Sequence, residues 1–91
     1  MIKKTKDYPK LIADKIRKAL EYNEDLEKNP KEGYTPIKMS SIEISRGLYN
    51  LGSMAIRDNV CNELGIKPWD APFWTKVNDN GDYWWLKITF K

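Results

Sequence analysis

Residues 40–65, SSIEISRGLYNLGSMAIRDNVCNELG, decide the fold, because they read as two helices joined by a sharp turn. Ser40 and Glu43 stand three residues apart. At that spacing the serine side chain accepts from one backbone N–H at a helix start and the glutamate reaches back to another. Ile44, Leu48 and Leu51 follow at helical spacing, so the pattern predicts a helix over 41–51. Gly52 is placed to end it and Ser53 to cap the next helix, predicted over 53–64. Ile56, Val60 and Leu64 fall there on every fourth residue before Gly65 closes the run. The opposite side of this helix carries Ser53, Met54, Ala55, Arg57, Asp58, Asn59 and Asn62.

C-terminal to this pair, KPWDAP (67–72) is a connector held by two prolines and a packed Trp69. Phe73–Val77 and Tyr83–Phe90 then flank NDNGD, where Asn80-Gly81 is the preferred pair for a two-residue type I′ hairpin turn. That turn sets Val77 opposite Trp84, Thr75 opposite Leu86 and Phe73 opposite Ile88 on a core face. The outer face then pairs Lys76 with Trp85 and Trp74 with Lys87, two expected cation–π contacts. The same register places Asp79 against Asp82, which repel.

On the N-terminal side, TPIKM (35–39) reads as a brief edge strand and 24–33 as a charged loop. A first helix is predicted over 9–26, with Pro9 in its first turn and Ile12, Ile16, Ala19 and Leu20, then Asn23 or Leu26, as its inner stripe. Leu20, Ile44, Leu48, Ile56, Val60, Leu64, Trp84 and Ile88 are the expected core. Residues 1–8 form a basic tail and 9–91 one domain.

Ninety-one residues support a single modest core, and four Trp, five Tyr and two Phe supply apolar surface that a disordered chain would lack. One cysteine, Cys61, permits no internal disulfide and reads as a small core residue. The absence of histidine removes the usual zinc ligand and the usual general base. No glycine-rich phosphate loop is present, and NDNGD fails as a calcium loop because Lys76 and Lys87 occupy its first and last ligand positions. The expectation is a protein that is not an enzyme and takes no cofactor or metal. No run of about 18 apolar residues and no signal-peptide core is found, so a protein that is cytoplasmic, or delivered without a cleaved leader, and makes no membrane contact is expected. Residues 1–20 hold seven Lys or Arg against two Asp within a net charge of +3, a footprint suited to a polyanion and equally to a solvated basic face.

The order helix, short strand, helix, helix, hairpin resembles the winged helix-turn-helix fold, carried by PIKMSSIEI, LGSMAIRDNV and FWTKVNDNGDYWWLKITF. The resemblance implies an α+β, three-helix domain with a C-terminal β-hairpin wing that binds double-stranded DNA. It implies a regulator, or an accessory protein of a mobile element or virus. In such proteins the third helix enters the major groove and the wing touches the backbone. Ser53, Met54, Arg57, Asp58 and Asn62 would then meet DNA from the helix, and Lys76, Lys87, Asn78 and Asn80 from the wing. The helix departs from the pattern in having Arg57 as its one cation, countered by Asp58 and Glu63. The rival class is a protein-interaction module, or a homodimer, anchored by Trp74, Tyr83 and Trp85.

Overall fold

The computed structural model describes residues 7–45, 51–81 and 83–91. Helix α1 spans Tyr8–Lys28 and helix α2 spans Ser53–Leu64. Strands β1 (Met39–Ser45), β2 (Phe73–Asn80) and β3 (Tyr83–Phe90) form one antiparallel sheet in the order β1-β3-β2. A 3₁₀ turn at Pro68–Asp70 links α2 to β2.

The class α+β holds, but a three-helix winged helix is not what the chain forms. Residues 41–45, expected to open a helix, lie in β1, and the strand expected at 35–39 starts only at Met39. The remainder of the expected helix, 46–50, and with it Leu48, lies outside the described residues. The reason is a matter of size. A helix cap contributes about 1 kcal/mol, whereas burying Ile42 and Ile44 contributes roughly 1.5–3 kcal/mol for each side chain. Both isoleucines point inward from alternate positions of β1, opposite Leu86 and Trp84 of β3. Gly52 does not end a helix either. It precedes α2 with extended backbone, and Ser53 is the first helical residue rather than its cap.

α2 itself runs over the residues its apolar spacing marks. Ile56, Val60 and Cys61 are fully buried, and Leu64 packs at the margin of the core. Gly65 ends the helix with φ +73°, a left-handed conformation that glycine adopts without steric cost. In α1, Asp7 caps the N-terminus by accepting from Lys10 N–H at 3.2 Å. Tyr8, Ile12, Ala13, Ile16, Ala19 and Leu26 form its buried stripe. The two helices pack on each other and cover one face of the sheet, where Ile42, Ile44, Phe73, Trp84, Leu86 and Ile88 complete the core. Trp69, expected to be packed, is 75% exposed.

The hairpin differs from expectation in register. Its strands end at Asn80 and resume at Tyr83, so the two-residue loop starts at Gly81 (φ +78°) and not at Asn80. Phe73 therefore faces Phe90, Thr75 faces Ile88 and Val77 faces Leu86. The slip is two residues, and an even slip leaves every side chain on its expected face. It sets Phe90, at the margin of the core, against Phe73 and puts Asp79 opposite Trp84; the expected partner Asp82 lies outside the described residues.

Three side chains of α1 bind the outer edge of β1 and Ile37 just ahead of it. The Asn23 amide accepts from Ile37 N–H at 2.6 Å and donates to Ile37 C=O at 2.9 Å. Lys15 Nζ donates to Ser41 C=O at 3.3 Å, and Ser45 N–H donates to Tyr8 Oη at 3.1 Å. The spacings match. Seven or eight helical residues rise roughly 10–12 Å, and four strand residues span roughly 13 Å. α1 therefore runs antiparallel to β1 and satisfies edge groups that a fourth strand would otherwise meet.

Candidate functional site

The strand alternation that fills the core leaves the other face of the sheet open. From β3 this face presents Tyr83, Trp85, Lys87 and Thr89, and from β2 Trp74, Lys76 and Asn78. From β1 it presents Met39, Ser41, Glu43 and Ser45. Its large apolar side chains are well exposed, at 63% for Trp74, 53% for Met39, 48% for Tyr83 and 39% for Trp85. Single exposed apolar residues are ordinary on a protein surface, but four on one sheet face are a concentration that makes this face the candidate site.

The register orders this face. Tyr83 and Trp85 are next-but-one neighbours on β3, so their rings project side by side roughly 7 Å apart. Lys87 comes next, with Lys76 directly opposite on β2 and Ser41 opposite on β1. Beyond the lysine pair, Thr89 is flanked by Trp74 and Met39. Two ammonium groups held across one rung repel each other, which costs stability unless an anion lies between or above them. The expected Lys76–Trp85 and Trp74–Lys87 cation–π pairs do not form, because the two-residue slip sets lysine against lysine. Trp74 instead carries Lys91 Nζ 4.1 Å from its ring centroid. Among the described residues the one carboxylate on the face is Glu43, opposite Trp85.

The residues expected to read DNA from the second motif helix lie elsewhere. α2 packs on the covered face, and Ser53 C=O accepts from Thr75 Oγ1 there at 3.1 Å. Met54 and Asn62 are exposed, and Arg57 is half-buried. Lys76 and Lys87 project to the other side of the sheet, so helix and hairpin residues do not converge on a common surface. Arg57 is also engaged, its Nε and Nη2 donating to Asp58 Oδ1 at 3.2 and 3.0 Å. Trp74, Tyr83 and Trp85, by contrast, are brought onto the same face as Lys76 and Lys87.

Met39, Ser41 and Glu43 belong to this face; the helical expectation over 41–51 hides Ser41 and Glu43, and Met39 stands at the end of the strand expected at 35–39. The alternation of Ile42 and Ile44 with polar neighbours is the pattern that marks them. Cys61 is buried, and burial pushes its thiol above the ordinary value while the Arg57 guanidinium pulls the other way. It packs in the core between the helices and the sheet. Among the described residues no group of three His, Cys, Asp or Glu could hold a metal ion, and no helix is long and apolar enough to cross a membrane. No protein-family model, curated protein or solved structure matches this chain, so the chemistry of the open face is what speaks for its role.

Proposed function

We propose that this protein binds single-stranded nucleic acid in the cytoplasm through the open face of its sheet. The observation that carries the reading is the rung Lys76–Lys87 set between the neighbouring rings of Tyr83 and Trp85 on one side and Trp74 on the other. Exposed aromatic rings on a sheet are stacking platforms for unpaired bases, and lysines between them meet the phosphates that join those bases. A duplex is the poorer fit, since its bases are stacked inside and a flat face reaches only its backbone. Ser41, Asn78 and Thr89 supply neutral hydrogen-bonding groups around the rings.

Titration of tryptophan fluorescence with a thymidine oligonucleotide, and with a duplex of equal length, tests this. The oligonucleotide is expected to quench the emission and to bind more tightly than the duplex. Two phosphate contacts give a slope of log K against log salt of about −1.4. Absence of oligonucleotide binding at low salt, or binding unchanged in both Trp85→Ala and Lys87→Gln, overturns the reading. The aromatic face would then serve a protein partner, whose affinity is nearly indifferent to salt.

A further inference from the structure

The two edges of the sheet are treated differently. Lys38 C=O accepts from Phe90 N–H, and Pro72 C=O accepts from Lys91 N–H, which fixes the direction of every backbone group in the ladder. Even-numbered residues of both β1 and β2 bond to β3, and odd-numbered ones face outward. Along the β1 side, α1 side chains bond Ile37 N–H and C=O just ahead of the strand, Ser41 C=O and Ser45 N–H, which leaves the outward groups of Met39 and Glu43 open but lays a helix along the edge. On β2 the outward groups belong to Phe73, Thr75, Val77 and Asp79. The N–H and C=O groups of Phe73, Thr75 and Val77 take no hydrogen bond from any described residue.

An open edge is a template for another strand. We propose that the β2 edge pairs antiparallel with the β2 edge of a second copy, Thr75 opposite Thr75, to make a two-fold dimer with a continuous six-stranded sheet. The register follows from complementarity. With Thr75 on the axis, Phe73 lies opposite Val77 of the other copy, and these are the residues whose N–H and C=O groups face outward. Each such pair exchanges two hydrogen bonds. On the open face the same register sets Trp74 opposite Lys76 of the other copy twice over, a cation on an indole at each place. A slip that puts the axis at Lys76 sets that lysine against its own copy and is repelled. A two-fold axis normal to the sheet keeps both open faces on one side, so the two aromatic and lysine surfaces become contiguous. This inference stands on the edge groups and is independent of what the open face binds.

Sedimentation equilibrium of the full chain without nucleic acid tests it. The expected mass is twice the 10.7 kDa of one chain, falling towards one chain on dilution. Val77→Pro removes an outward N–H that does not bond β3, so the monomer sheet keeps its ladder while the dimer loses a bond at each of two places. That variant, checked for its fold by circular dichroism, is expected to sediment as a single chain. Should it fail to fold, Trp74→Ala gives the reading instead, because Trp74 is exposed and contributes little to the core. Loss of both indole–lysine contacts is expected to raise the dimer dissociation constant roughly ten-fold. A single-chain mass for the natural sequence at every concentration, a folded Val77→Pro that still dimerises as strongly, or an unchanged constant in Trp74→Ala overturns the proposal.

Discussion

Trp84 and Trp85 are neighbours in β3 and have opposite fates. Trp84 points beneath the helices with 9% of its surface exposed, and Trp85 points into solvent with 39% exposed. The whole sheet repeats that division. Its covered face is built of Ile42, Ile44, Phe73, Leu86 and Ile88 and has one task, burial. Its open face mixes aromatic rings with lysines at positions where burial gains nothing. A chain of this length has little apolar material to spare from its core. Large rings left outside therefore point to a contact with something else.

That contrast can be broken by experiment. Trp84→Ala should cost about 3–5 kcal/mol in a denaturant titration, as large aromatic truncations in a core do. A loss below 1 kcal/mol would mean that the covered face is not the core. Trp85→Ala should leave stability within about 1 kcal/mol and instead weaken oligonucleotide binding by about 1–3 kcal/mol. An equal effect of the two substitutions on stability would erase the distinction between the faces. Lys87→Gln keeps most of the side-chain stem and removes one member of the facing lysine pair. It should raise stability by up to about 0.5 kcal/mol, while the salt slope of binding becomes shallower by about 0.7. A gain in stability with no change in slope would separate the lysine pair from the bound anion. Arg57→Ala, on the covered side and paired with its neighbour Asp58, should change stability by no more than about 0.5 kcal/mol and leave oligonucleotide affinity unaltered. A clear loss of affinity would bring α2 back into the binding surface.

Much of this division was legible in the sequence. The spacing of Ile12, Ile16 and Ala19, and of Ile56, Val60 and Leu64, locates both helices. Alternation in β3 assigns Trp84 and Trp85 to different faces without knowledge of the register, because a slip of two residues preserves the alternation. The register itself was not legible, since Asn80-Gly81 and Gly81-Asp82 both suit a tight turn and the choice rests on the whole length of the ladder. β1 was misread for a related reason. Ser40 and Glu43 satisfy a helix start locally, but strand pairing with β3 is a long-range contact that no short window contains. That error split the open face, because it hid Ser41 and Glu43 and directed attention to α2. The aromatic residues Trp74, Tyr83 and Trp85 and the lysines Lys76 and Lys87 were all visible. Only the hairpin register showed that the lysines share a rung.

The bonds from Tyr8, Lys15 and Asn23 to β1 carry a consequence for solubility. The strand MSSIEIS holds two β-branched apolar residues, a single charge and no proline, the composition of segments that stack into cross-β fibrils once their edge is free. With α1 in place that edge is occupied at Ile37, Ser41 and Ser45. A proteolysed chain without α1 would offer it to its neighbours. The first helix is thus a guard against aggregation as well as half of the core's roof, and a fragment beginning at Lys31 should form thioflavin-positive aggregates under conditions in which the full chain stays clear.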